Sequence, residues 1–498
     1  MSADTHVIAP VTHRRPARPP LGIRHLTLLL VMTHAPLLLV WSTVSGSYQI
    51  GGVVATPLVF LIAGLLMLLV ALGYGGMARR IQHRGGVYAF IAHGLGRTPA
   101  LTASAVLIAS YVSVTAVVLI YSGQSFAQLG VLLLGWEPPL VTGAIAGAAL
   151  AAGLAALPLR ILLRVLSGLA VVQLAAIGWL DVTALRQPAG GGVTTASLDP
   201  GWLLTGSFGL ALCLSMTSYI GSETGGTYSR DVARPERTVP IATLLGYGLT
   251  TVVLVFSGWA LSSATGAEQA VLLAQLSAAD TKGLSDTTSF VLAVVNGLVA
   301  PEHREVTAEL LLGALFLGIV SSMAALHSGL SRQLSALGAE GVLPRGFAAR
   351  GSSTPTLPAR ATGLTLSTVA ALVAILTDDR GVGLALAVTG GLGVLAVLCL
   401  ASLAAAAWFL RRDDVESGFF GWEGQVAAAT VGAIVTACVF VFGCFRLPEV
   451  LGAFGDGVPG WFPLAYLGAA LGAGLVWVAI VRTARPDGWL DVGRRDIR

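Results

Sequence analysis

The sequence predicts an all-α membrane protein of about twelve transmembrane helices, and three observations carry that prediction. First, 55% of its 498 residues are hydrophobic and 11% are charged, whereas a soluble domain carries roughly a quarter charged residues. With a mean hydropathy of +0.81, the chain has the balance of a protein whose solvent is largely lipid. Second, apolar runs of about 20 residues, the length that crosses a hydrocarbon core, follow one another along the chain. Third, the 29 Lys and Arg residues crowd into alternate gaps between those runs.

The runs centre near residues 35, 66, 113, 148, 172, 215, 250, 321, 368, 397, 435 and 473. Threading them through a membrane gathers 24 of the 29 basic residues on one face, leaving Arg186, Lys282, Arg304, Arg380 and Arg446 on the other. Basic residues stay cytoplasmic, so both termini are expected inside and the number of spans is even. Residues 1–23 hold Arg, His and Pro but no apolar core, and read as a flexible cytoplasmic tail instead of a cleaved signal peptide. The longest outside loop, about residues 263–304, carries Asp280, Lys282, Asp286 and Glu302.

Composition also bounds function. The net charge of +4 comes from arginines dispersed over many loops on one membrane face, which argues against a nucleic-acid partner. Cys213, Cys399, Cys438 and Cys444 all lie in apolar runs without metal-ligand spacing, so neither a metal centre nor a disulfide framework is expected. One lysine among abundant Ala, Gly, Leu and Arg suggests a GC-rich genome and a bacterial plasma membrane. The basic, glycine-rich stretch Arg79 to Arg97 lacks the ordered glycine-lysine-serine or threonine signature of a nucleotide loop. Gly143 and Gly147, four residues apart, mark close helix packing.

Two spans are anomalous at mid-depth. In the first, Thr33-His34-Ala35-Pro36 interrupts the run Leu26 to Val40, and proline removes a backbone donor and clashes with the preceding turn. In the sixth, the stretch from Ser215 to Gly226 puts small polar residues and Glu223 where leucines belong. Interrupted spans five helices apart point to an inverted-repeat transporter with its site at the midplane.

Four stretches in register resemble the amino acid, polyamine and organocation superfamily, specifically its bacterial amino acid permeases. They are Ala35-Pro36-Leu37 after Leu26-Thr27-Leu28; Gly73-Tyr74 with Gly85-Gly86-Val87-Tyr88-Ala89-Phe90; Tyr219-Ile220-Gly221-Ser222-Glu223 running into Arg234-Pro235-Glu236-Arg237-Thr238-Val239-Pro240; and Ser331-Arg332 with Gly341-Val342-Leu343-Pro344-Arg345. The resemblance implies ten core helices as two inverted five-helix repeats (5+5, residues 24–411), two further C-terminal helices (412–484) and a cytoplasmic tail (485–498). It also implies broken helices 1 and 6 with substrate between them.

Physics supports that placement. Unwound backbone in lipid costs several kcal/mol per unsatisfied group and survives only where protein, water or ligand satisfies it. An amino acid supplies a carboxylate for helix-start amides and an ammonium for freed carbonyls. The expected headgroup site is therefore the backbone of Thr33, His34, Ala35 and Pro36 with that of Ser218, Tyr219, Ile220, Gly221 and Ser222.

Ionisable residues inside a membrane are functional candidates. Glu223 is the first of them, as a proton carrier or gate, against a bland reading as a buried, hydrogen-bonded acid. His34 in the broken stretch and His327 in the eighth span are proton acceptors or specificity contacts, with core packing the competing account of His327. Ser321 and Ser322 lie where sodium-coupled members of the wider fold put hydroxyl ligands, although serine is also routine packing glue. The family's sixth span commonly reads Gly-Phe-Glu with the ring as a lid; here it is Gly221-Ser222-Glu223, with Tyr219 and Trp41 as substitutes. Some relatives carry an ionisable residue where this chain has Gln173.

The expected function is secondary active transport of an amino acid or related small amine by alternating access, coupled to a proton in preference to sodium, with lipid as the other partner. No cofactor, metal or enzymatic chemistry is expected. The alternative is a transporter-fold sensor or partner subunit that binds solute without flux, motivated by Ser222 and Gln173.

Overall fold

The computed structural model of the chain describes residues 21–279, 289–348, 354–377, 380–411, 421–452 and 458–494. Most of the expected N-terminal tail and the loop charges Asp280, Lys282 and Asp286 lie outside the described residues. The helices in chain order are α1 (Ile23–Thr33), α2 (Pro36–Leu38), α3 (Thr56–Ala78), α4 (Val87–Gly94), α5 (Arg97–Leu134), α6 (Leu140–Ala156), α7 (Leu159–Arg186), α8 (Phe208–Thr217), α9 (Pro235–Thr265), α10 (Ala267–Ala279), α11 (Phe290–Leu298), α12 (Arg304–Ala339), α13 (Leu357–Thr377), α14 (Arg380–Leu410), α15 (Trp422–Gly452), α16 (Phe462–Ala484) and α17 (Pro486–Asp491). The fold is all-α, and the described residues pair in extended fashion only at an isolated parallel bridge between Leu21 and Val232.

Among the described residues, ten segments are long and apolar enough to cross a membrane. The 17-residue α6 stands at the fourth place of the expected order, and α8 with the 3-10 turn Ser222–Tyr228 stands at the sixth. The two interrupted spans therefore open each successive set of five, as in an inverted-repeat core, and α15 and α16 follow. Helix α5 runs through the middle, packed against α6, α12, α14 and α16. Small residues permit this density: a Cβ on Gly143 would lie 2.5 Å from Phe126 Cβ, and one on Gly147 would lie 2.1 Å from Ser122 Oγ. Large apolar side chains such as Leu65, Val171 and Val252 stay exposed on the outside of the bundle, where lipid would cover them.

Each interruption has a local cause. Helix α1 stops at Thr33, Ala35 takes a left-handed φ of 47°, and Pro36 restarts the helix at the position that needs no N–H. Beyond Leu38 the span continues as π-helix, Leu39–Val44 and Ser47–Gly51. In the other span α8 ends at Thr217, and Gly221 turns the chain at φ 123°, a region open to glycine. A Cβ on Gly221 would lie 2.2 Å from Thr33 Oγ1, so the two interruptions meet at this glycine.

The Arg-rich loops define a basic face. There the Leu21 amide donates to the Asp231 carbonyl (2.8 Å) and the Ala233 amide to the Leu21 carbonyl (3.0 Å), joining the start of α1 to the chain that follows the 3-10 turn. The stretch read as a C-terminal tail contains α17, seated at this face: Arg485 donates to the carbonyls of Gly341 and Val342 (3.3 and 3.1 Å), and Arg97 donates to that of Leu490 (3.2 Å).

Candidate functional site

A cavity of about 420 Å³ extends from the two interruptions towards α10 and α11, away from the basic face. Thr33, His34, Ser218, Ile220 and Ser322 line its floor, and Trp41, Thr43, Tyr121 and Gln124 line it farther out. Helix α5 contributes Val114, Val117, Val118 and Tyr121, spaced so that one face of a helix looks into the space. Among the described lining residues there is no Asp, Glu, Lys or Arg.

The freed main chain is met by side chains from four directions. Ser322 Oγ on α12 donates to the Thr33 carbonyl at 2.6 Å. Gln173 Oε1 on α7 accepts from the Leu37 amide at 3.4 Å, at the start of the resumed helix. His34 Nε2 lies 3.1 Å from the Tyr219 carbonyl, and since a carbonyl only accepts, that nitrogen carries the proton. Its Nδ1 is 3.2 Å from Thr250 Oγ1 on α9, so the imidazole ties the first span to the sixth and the seventh. Finally, Thr43 and Ser218 pair hydroxyl to hydroxyl at 2.8 Å across the cavity floor. The bonds of Ser322, Gln173 and His34 Nε2 explain why these polar residues stand at mid-depth: each meets a backbone group at an interruption.

Glu223 lies beneath that floor, buried and outside the cavity lining. Its carboxylate accepts from the Gly221 amide with both oxygens (3.1 and 2.9 Å) and from the Tyr111 hydroxyl at 2.5 Å. A smaller cavity of about 10 Å³, roughly one water in size, touches Glu223 on its basic-face side and is lined also by Tyr111, Thr227 and Gln333. The Gln333 Nε2 is buried and has no hydrogen-bond partner among the described residues.

Two polar clusters close the route from Glu223 to the basic face. Asp231 pairs with Arg332 of α12, whose guanidinium carbon is 4.2 Å from the Tyr228 ring centre, and the Tyr228 hydroxyl donates to Ser328 (3.1 Å). Farther out, the buried Glu340 carboxylate meets His83 Nε2 (3.0 Å), the Tyr88 hydroxyl (2.6 Å) and the Gly493 amide (3.0 Å). Burial, and after it the neighbouring Glu340 charge, raise the Tyr88 phenol well above its ordinary value. The two clusters touch through glycine: a Cβ on Gly226 would lie 2.8 Å from Gly86 Cα.

The remaining residues singled out in the sequence are more dispersed. Ala35, Pro36, Tyr219, Gly221 and Ser222 are buried beside the cavity floor but do not line it. Of the two aromatic substitutes for a lid, Trp41 lines the cavity, while Tyr219 turns into the bundle, with its hydroxyl 3.0 Å from Thr251 and its ring 5.9 Å from that of Tyr247. Ser321 Oγ donates to carbonyls of its own helix, at Leu317 and Gly318. His327 lies one and a half turns from Ser322, away from the cavity, 3.5 Å from Ser331 Oγ.

Two contributors carry no signal in the sequence, because Tyr111 and Thr250 are a tyrosine and a threonine inside apolar runs. Asp181, a carboxylate inside the run Ala175 to Leu185, is buried in α7 with Ser257 donating to it at 2.9 Å and does not line the cavity.

No curated protein matches the chain closely. A family model does, and it starts three residues into α1 and ends inside α16, so it takes in both interruptions, the cavity between them and, apart from Gly493, the clusters beneath. That model describes the amino acid permeases, it matches residues 26–477, and the chain belongs to that family, within the amino acid, polyamine and organocation superfamily.

Proposed function

We propose that the chain carries an amino acid or related small amine across a bacterial plasma membrane by alternating access, with protons as the coupling ion and both termini cytoplasmic. The observation that carries the proposal is the meeting of the two interrupted spans at Gly221 and Thr33, on the floor of a cavity reaching the face opposite the arginines. Amides and carbonyls at such interruptions suit the two charged ends of one amino acid, and a carbonyl already accepting one bond keeps a second lone pair for an ammonium.

In this reading the basic face is cytoplasmic and the described conformation is open to the outside, with the Asp231–Arg332 and Glu340 clusters as the closed inner gate. Substrate arrival draws the half-helices on either side of the interruptions together, the outer cavity closes and the inner clusters part. Glu223 is the proton carrier, because it spans the floor and the gate. Its oxygens accept from Gly221 N–H at the floor, and its neighbouring small cavity leads towards Gln333 and the basic face. His34 is a positioning residue that joins the interruptions, and Ser322 holds the Thr33 carbonyl in place.

The test is uptake of labelled amino acids into proteoliposomes under an imposed pH gradient, with and without sodium. Gradient-dependent accumulation without a sodium requirement is the expected result. Binding without counterflow would instead establish a solute sensor or partner subunit, and flux that follows sodium alone would overturn the proton assignment.

A further inference from the structure

Building on the permease reading, we infer that the central site selects neutral α-amino acids with an aliphatic side chain and excludes those with a charged one. The cavity has two unlike sides. One is the polar floor at the interruptions, where Thr33, His34, Ser218 and Ser322 stand. The other is built by two packed helices, α5 and α14, which turn Val114, Val117 and Val118 and Leu384, Ala387 and Val388 into the same space. Spacings of three and four residues put each trio on one helix face. A solute whose ammonium and carboxylate are held at the floor therefore projects its side chain towards an aliphatic wall.

Nothing in that wall answers a charge. The lining residues described include no Asp, Glu, Lys or Arg, and the Glu223 carboxyl already accepts from Gly221 N–H and the Tyr111 hydroxyl on the far side of the floor. A lysine or glutamate side chain would lose its hydration here and gain no counter-charge, a penalty that hydrogen bonds to neutral groups offset only in part. A diamine would in addition lack the carboxylate for which the helix-start amides are suited. An aliphatic side chain gains by the same transfer.

The experiment is competition against labelled leucine exchange in proteoliposomes of the full chain, using valine, alanine, lysine, glutamate and putrescine. Valine and alanine are expected to compete at least tenfold more strongly than lysine, glutamate or putrescine. Val114→Ala, which enlarges the aliphatic side, is expected to raise the preference for leucine over alanine several-fold, and Val114→Asp to raise lysine competition at least tenfold. Exchange in which lysine or glutamate competes as well as valine would overturn the selectivity while leaving the permease reading intact. Absence of exchange with every amino acid would overturn the permease reading itself, and the selectivity with it. If Val114→Asp does not fold, an unchanged leucine-to-alanine ratio in Val114→Ala overturns the wall assignment.

Discussion

Ser322 Oγ donates to the Thr33 carbonyl at 2.6 Å across 289 residues of sequence, so a hydroxyl on α12 takes the bond that α1 gave up at its interruption. Ser322→Ala leaves that buried carbonyl short of a donor, at a cost of about 1–3 kcal/mol. The variant is expected to melt at a lower temperature in detergent and to lose transport, whereas Ser322→Thr keeps a hydroxyl and most of both. Equal melting temperatures for wild type and Ser322→Ala would show that the bond contributes little.

Glu223→Gln is expected to abolish pH-driven accumulation and to spare part of the exchange activity. A glutamine presents one oxygen to two donors, Gly221 N–H and Tyr111 O–H, so the loss in stability stays near the worth of one hydrogen bond, about 1–2 kcal/mol. Concentrative uptake at the wild-type level in this variant would remove Glu223 from the coupling mechanism.

The inner gate offers a separate readout. Arg332→Ala leaves Asp231 buried without its partner, and breaking such a pair costs about 3–5 kcal/mol in the conformation that contains it. The population then shifts towards conformations open on the basic face. A cysteine placed at Thr227 is expected to react with a membrane-impermeant thiol reagent from that face severalfold faster in the Arg332→Ala background. Unaltered labelling would mean that the pair does not hold the gate.

Tyr88 lies outside the spans and gives a pH prediction. Its folded value is raised, so the folded state holds the phenolic proton after the unfolded chain has lost it. The corresponding stability is fully present below the ordinary tyrosine value near 10 and declines as pH rises beyond it. Tyr88→Phe is expected to weaken the protein at neutral pH by about 1.5–3 kcal/mol, the worth of a bond to a charged acceptor. It is also expected to flatten the decline in melting temperature above about pH 10. Thermal melts of both proteins from neutral to alkaline pH check this.

Pro36 and the polar stretch from Ser215 to Gly226 make the interruptions legible, because both act locally: proline lacks a donor, and small polar residues with Glu223 are out of place in an apolar span. Arg332 shows why the gate was harder to read. Its partner Asp231 is 101 residues away, whereas Arg230, Arg234 and Arg237 stand much closer to Asp231 in the chain. The π-helical stretches Leu39–Val44 and Ser47–Gly51 have no composition of their own, since a slip from four- to five-residue hydrogen bonding is decided by what the helix packs against. Likewise the roles of Gln173 and His34 as partners of main-chain groups depend on which helix faces which. Sequence located these residues at mid-depth without identifying the amide or carbonyl that each one meets.

The short extended bridge at the basic face links two elements that are far apart in sequence. Because Leu21 is bonded on both sides of Val232, α1 and the turn carrying Glu223 are fastened at their outer ends as well as touching at Gly221. A displacement of one is expected to carry the other with it, so in the proposed transport cycle the inner mouth would be released through both elements together, against the Asp231–Arg332 and Glu340 clusters.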